Sequence, residues 1–422
     1  MNLKSALLRV VPVGPIVTLL ALAFGTNNVN ATDGTWNVDA SGNWGTAGNW
    51  TGGIPNGVGA TANLTYTGWS KNRTITLDTS RTIGILNFAT NSRSIHLASS
   101  AGTVLTLDNN GSPAQVNYQL SGTGNDFYID APVQLNGSLV TFSGVSSDSS
   151  KFVNFTNVNG GSITNVSNAP VTITNTGAFV QFNGVISDGA NGSISVVENS
   201  PSSSPSAAFP LLLGAANTYS GSTTLTAGYL NLANASAIQN STLVMSGGAL
   251  VFDKAVISGA FTFGGLAAAF SGFGDDIILE NNAASAAAVA LTVGNNNTNT
   301  TYAGVLSDGF SSSGGSLTKV GTGTLTFTST NTYTGPTTVS GGTLAVTGSL
   351  SGTNGVTVNT GGMLLLNSST FASNIVGTGA VVPGTGQTFT GSVGTTTVTG
   401  GGGTLAVAGG QSGTPIRLRR WH

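Results

Sequence analysis

Few side chains in this sequence could do chemistry, and their spacing keeps them apart. His96 and His422 are its only histidines, so there is no second imidazole for a metal site and no setting for a His-based triad. His96 is expected to be an exposed residue on a strand. The absence of cysteine removes thiolate ligands, a cysteine nucleophile, disulfides and a lipid-modified N-terminal cysteine. The 14 acidic residues are scattered except for Asp275-Asp276, and no basic side chain lies between Lys151 and Lys254. A polysaccharide lyase or hydrolase needs paired carboxylates, or a carboxylate with a base or cation, on one face, and this distribution does not supply them.

Two further groups carry a possible binding chemistry. Gly272-Phe-Gly-Asp-Asp276-Ile-Ile278 matches most of a calcium-binding nonapeptide, with Ser271 in place of its first glycine. A calcium roll shares each ion between tandem units, so a single unit reads better as an acidic turn entering a strand at 277–279. Trp36, Trp44, Trp50 and Trp69 are spaced among Asn and Gly. They could stack on sugar rings, but the favoured reading is a cover over the open end and unpaired edge of a first coil. No catalytic, cofactor-binding or metal-binding residue is assigned.

Composition explains why the chain can fold without those groups. Of 422 residues 62 are Gly and only 6% are charged, yet apolar residues make up 39%, unlike a highly charged disordered chain. A net charge of −2 leaves no basic footprint for nucleic acid. Runs such as Arg73-Thr-Ile-Thr-Leu77, Thr82-Ile-Gly-Ile-Leu86, Val171-Thr-Ile-Thr174 and Thr324-Leu-Thr-Phe327 alternate β-branched or apolar with polar residues, and Gly, Asn or Pro closes them. They read as short strands with one face buried. Asparagines near their ends suit corners and can stack on equivalents in the next coil. Residues 283–291 fit either a short helix or a strand.

The pattern is copied within the chain. Asn217-Thr-Tyr-Ser-Gly-Ser-Thr-Thr aligns with Asn331-Thr-Tyr-Thr-Gly-Pro-Thr-Thr, and each is preceded by a Gly-Val-(Ile/Leu)-Ser-Asp-Gly segment, at Gly184 and at Gly304. The first copy carries six extra residues, assigned to a surface loop around Ser200–Ser206. Ser143-Gly-Val-Ser-Ser-Asp148 is a partial third echo, and Gly402-Gly-Thr-Leu-Ala-Val407 repeats Gly341-Gly-Thr-Leu-Ala-Val346. Repeats too small to bury their own apolar faces do so by stacking, which predicts an all-β solenoid, a parallel β-helix, right-handed by the crossover rule. With roughly 20 residues per coil, the mature chain would form on the order of 20 coils and a rod of about 90 Å.

Residues 314–346, with Leu317-Thr-Lys319, Gly321-Thr-Gly-Thr-Leu-Thr326, Asn331-Thr-Tyr-Thr-Gly335 and Gly341-Gly-Thr-Leu344, resemble the autotransporter-associated β-strand repeat. Residues 184–232 resemble a degraded copy. The resemblance implies a secreted or surface-exposed bacterial passenger folded as a right-handed parallel β-helix, with no enzyme activity. It also implies dealings with outer-membrane secretion machinery, although the translocator barrel usual after such passengers is not recognisable.

The expected organisation follows. Residues 1–31 form an export signal: Lys4 and Arg9, an apolar run from Val10 to Phe24, and a Val29-Asn30-Ala31 cleavage site. Then come a Trp/Asn/Gly-rich cap at 32–70, degenerate coils at 71–183, the first recognisable repeat at 184–254, irregular coils at 255–303, the best repeat with following coils at 304–407, and a basic tail at 408–422. The function expected is a non-catalytic exported stalk at the cell surface, outer membrane or outside the cell, serving adhesion or display. A surface glycan or matrix component is its possible ligand. The alternative is a carbohydrate-binding or polysaccharide-degrading β-helix.

Overall fold

The computed structural model describes residues 31–384, apart from 92, 122–125, 147–151, 157–160, 178, 191, 202–210, 273, 368–369 and 372–373, and the short strands at 388–389, 397–398 and 404–405. The export signal, most of the loop around Ser200–Ser206, Asp148 of the third echo and the basic tail lie outside the described residues.

The chain is a parallel β-helix. Strands of two to nine residues follow one another around three faces, and most pair in parallel with strands of the neighbouring coils. The first ladder starts at Gly34–Trp36 and passes through Thr61–Leu64, Ile85–Asn91 and Ala114–Ser121 to Ala260–Ala268, then through Thr300–Tyr302 and Gly342–Val346 to 397–398. That makes sixteen rungs. Fifteen spacings of about 4.8 Å give a rod of about 70 Å, shorter than expected. Coil length accounts for part of the difference: Thr337 pairs with Val356, near the predicted repeat, but Ile85 pairs with Gln115 a much longer coil away.

Alternation decides the core. Most short strands show a buried, half-buried, buried pattern, so every second side chain points inward. Because register is kept from coil to coil, inward residues form columns: Ile75, Leu97, Ile129, Phe155, Phe182, Leu213, Leu232 and Phe252 stack in succession, all at most 2% exposed. Burying each such side chain contributes about 1.5–3 kcal/mol. Outward polar columns form as well. Asn117 donates to Asn87 at 2.9 Å and Asn87 to Asn63 at 2.8 Å. This asparagine ladder runs along strand positions as well as corners, a placement the sequence reading did not anticipate. Residues 283–291 contain no helix, and the chain enters a strand at Ala290–Val293.

The copied segments make copied bonds. Asn217 and Asn331 are buried, and their Oδ1 atoms each accept a backbone N–H from the preceding coil, Ile186 and Leu306, at 2.8 Å. Tyr219 and Tyr333 are buried too, each with its hydroxyl 2.6 Å from the Oγ1 of the threonine four residues on. Asp188 accepts from the backbone and hydroxyl of Ser220 at 2.9 and 2.6 Å, and Asp308 likewise from Thr334 at 3.1 and 2.5 Å. Each motif aspartate therefore clamps the turn of the next coil.

The copies nevertheless occupy different faces. Thr223–Ala227 belongs to the first ladder, whereas its counterpart Thr337–Val339 pairs with Ser316–Lys319 in a separate row that begins at Ala290–Val293. The strand Ala260–Ala268 shows how continuity is kept. Its early residues pair with Ala290–Val293 and its last residue with Tyr302, so one long strand feeds two ladders. Between the copies the chain completes whole coils plus two further faces.

The motif glycines mark where coils touch. A Cβ on Gly184 would collide with the carbonyl oxygen of Gly161, and one on Gly304 with that of Asp275. Neither neighbour is a flexible side-chain end. Gly184→Ala is therefore expected to destabilise by about 1–3 kcal/mol in a thermal or denaturant melt, whereas Gly137→Ala, with open space around it, stays within about 0.5 kcal/mol. Equal melting of the two variants would refute close coil contact at Gly184.

Candidate functional site

The residues singled out in the sequence are mostly consumed by structure. Trp36, Trp44, Trp50 and Trp69 are all buried, at 6% exposure or less. Trp50 sits 5.2 Å from Trp36 and 4.8 Å from Trp44, ring centre to ring centre, and its indole N–H donates to the Trp44 carbonyl. Rings in that state offer no face to a sugar, which overturns the glycan platform considered for this segment. The cluster lies where Gly34–Trp36 meets Trp50–Thr51, an antiparallel pairing at the start of the first ladder.

His96 is half-buried and has company. Its Nδ1 lies 2.8 Å from Asp130 Oδ2, and the Tyr128 ring stacks on the imidazole at 4.4 Å. Burial, aided by Asp126 and Asp130, pushes the Tyr128 phenol up to about 12. Thr156 Oγ1 donates to the other Asp130 oxygen at 2.6 Å. The acid thus stands between histidine and hydroxyl, whereas a triad needs the imidazole in the middle.

Besides Asp130, Glu198 and Lys319 are buried charged side chains among the described residues. Glu198, in register between Asn175 and Leu225, accepts from Asn175 Nδ2 at 2.7 Å and Ser200 Oγ at 2.5 Å. Burial raises its carboxyl to about 8 despite those donors. Lys319, from the Leu-Thr-Lys segment, turns its ammonium to the carbonyls of Val320 and Gly341 at 2.5 and 3.3 Å, and burial pushes it down. Asp275 is also shifted upward, first by burial and then by the charge of Asp276. Among the described residues no three His, Cys, Asp or Glu side chains gather as a metal site requires.

A cleft of about 710 Å³ lies on the second face, whose ladder runs from Gly42–Asn43 through Tyr229–Leu232 to Ala249–Phe252. It opens where that ladder loses its regular pairing: between Ala249–Phe252 and Ile277–Ile278 the connection is a single bridge from Phe252 to Asn281. Tyr229, Leu250 and Ile278 form its apolar walls, with the fully exposed ring of Phe310 at its edge. Gly228, Gly248 and Gly274 line it in left-handed conformations, bringing bare backbone to the surface. Asp276 and Asp308 reach it as well. Asp276 Oδ1 accepts the Val305 N–H at 2.7 Å, and Asp308 is engaged by Gly314, Gly315 and Thr334. Sequence reading missed the cleft because its lining comes from four separate stretches.

Residues 211–232 and 317–346 match the family model for the passenger-associated-transport-repeat. In these two stretches the chain is similar to the repeats of autotransporter passengers. The matched stretches hold the Tyr219 and Tyr333 turns and the strands after them. No curated protein and no solved structure matches the chain.

Glu198 gives the site a measurable signature. Its folded carboxyl titrates near 8, above the ordinary glutamate range, so its contribution to stability is complete below that range and is lost as pH rises toward 8. Between about pH 5 and pH 8 the native protein should lose melting temperature relative to Glu198→Gln, whose amide removes the charge and keeps one acceptor oxygen where the carboxylate has two. Parallel melting curves for the two proteins across that window would show that Glu198 is not held neutral.

Proposed function

We propose that the chain is a non-catalytic passenger, exported and held at the bacterial surface or released, in which a rigid β-helical rod carries binding surfaces away from the cell. The passenger repeats carry this reading most directly. The sixteen-rung first ladder supports it, since a continuous parallel ladder gives reach with few residues per unit length. So does the use of the motif side chains. Asp188, Asp308, Asn217 and Asn331 are spent on joining coils, and Tyr219 and Tyr333 on bracing their own turns.

The role of a hydrolase or lyase is disfavoured by geometry. In the cleft, Asp308 is engaged by backbone and threonine donors, and Asp276 has one oxygen taken by Val305. The tryptophan cluster is read as the end-piece of the rod, sealing its first coil. Adhesion is the use to which such a rod is best suited.

In cells making the protein, proteinase added outside should remove its signal from intact cells, or the protein should appear in the medium, while a periplasmic marker stays protected. Retention behind the outer membrane would overturn the display reading. Incubated with neutral and acidic polysaccharides, the purified protein should release no reducing ends or unsaturated products. Turnover lost on Asp276→Asn would instead establish an enzyme.

A further inference from the structure

We propose that the cleft beside Tyr229 and Phe310 is a binding site for a neutral oligosaccharide. Its chemistry does not depend on where the rod is displayed. Three observations converge on this ligand class. First, a cleft of about 710 Å³ is of ligand size, within the roughly 300–1,000 Å³ usual for small-molecule sites. Second, it offers rings as platforms: Tyr229 forms part of the wall and Phe310 stands fully exposed at the edge. A hexopyranose has an apolar C–H face that can cover such a ring while its hydroxyls stay at the rim.

Third, the polar lining suits a neutral donor-rich ligand better than an ion. Ser307 and the carboxylates of Asp276 and Asp308 border the cleft, and no lysine or arginine lines it. An acidic ligand such as a uronate chain would meet like charge. A cation would find the Asp308 carboxylate already taken by Gly314, Gly315 and Thr334, and Asp276 partly taken by Val305, so little attraction is left at a solvated surface. Sugar hydroxyls need only single acceptors and donors, and these are what remains: the second oxygen of Asp276 and the Ser307 side chain.

The geometry also says why the site lies here. Elsewhere on the rod, successive coils pair closely and outward side chains form flat columns. At this seam Ala249–Phe252 and Ile277–Ile278 separate, strict alternation fails over Ala249–Phe252, and Tyr229 and Leu250 face a recess.

The test uses the exported full-length protein. Titration calorimetry is run with tetrasaccharides of glucose, mannose, galactose and N-acetylglucosamine, with tetragalacturonate as the anionic probe and spermidine as the cationic one. At least one neutral tetrasaccharide is expected to bind, and Phe310→Ala should weaken it by about tenfold or more. Ile257→Ala removes an equally exposed side chain that does not line the cleft and should leave affinity unchanged. Phe310 is fully exposed, so its variant should melt with the native protein and any lost binding can be assigned to the cleft. The proposal is overturned if no neutral tetrasaccharide binds at concentrations up to about 10 mM, if Phe310→Ala binds as tightly as the native chain, or if only tetragalacturonate or spermidine binds. Failure here leaves the proteinase result on display untouched, so the two readings can fall separately.

Discussion

The distance between stacked coils governs this molecule. Parallel strands hydrogen-bonded about 4.8 Å apart allow no residue to be chosen for itself alone, because each must fit the residue directly above and below it. Where backbone meets backbone, as Gly184 meets Gly161 and Gly304 meets Asp275, only hydrogen fits. Where an inward position recurs, an apolar column grows, and the run from Ile75 to Phe252 is held by contact with its own kind. Outward positions obey the same rule with amides, so that Asn63, Asn87 and Asn117 trade hydrogen bonds along the rod. Thr, Asn and Gly dominate the sequence because each tolerates stacking on itself.

Stacking of equivalent side chains leaves register poorly determined, since a slip by one coil would exchange similar residues. The buried polar groups supply what the apolar columns lack. Asn331 Oδ1 fits one backbone N–H, that of Leu306, and Asp308 fits one turn, that of Thr334. Glu198 is placed between Asn175 and Ser200, and Lys319 between the carbonyls of Val320 and Gly341. Leaving any of them unpaired in the core costs about 1–3 kcal/mol, more for the Lys319 ammonium, so a shifted register is penalised at each. Asn, Tyr and Asp recur between the two copies at Asn217 and Asn331, Tyr219 and Tyr333, and Asp188 and Asp308.

Much of this was legible in the sequence for a simple reason: strand alternation and glycine corners are local, and the copied motifs spelled out the stacking. The strands at Ser316–Lys319, Thr324–Phe327 and Thr337–Val339 lie where their residues placed them. What depended on the number of coils between two points was not legible. Nothing in the aligned motifs shows that one copy is set a face back from the other, because the rotation is decided by every corner from 233 to 330. The tryptophans were legible as a cluster but not as buried, since aromatic spacing is the same for a platform and for a plug. The partner of His96 could not be found from its own run, because Asp130 belongs to the following coil.

The change of face also bears on the cleft. A solenoid with a uniform repeat presents a uniform surface, and recognition requires that uniformity to break somewhere. Here it breaks between the two copies, where Ala260–Ala268 crosses from serving one ladder to serving two and the second face loses all but one bridge. The disruption exposes the glycine backbone at 228, 248 and 274 and leaves Phe310 without cover. A stalk could bridge this gap with one more regular strand and bury about a further 1.5–3 kcal/mol of aromatic surface. That the chain keeps an uncovered ring beside acceptors, while its motif side chains elsewhere are bound into the rod, is the physical reason to regard the seam as a place for a ligand and the regular coils as what holds it out.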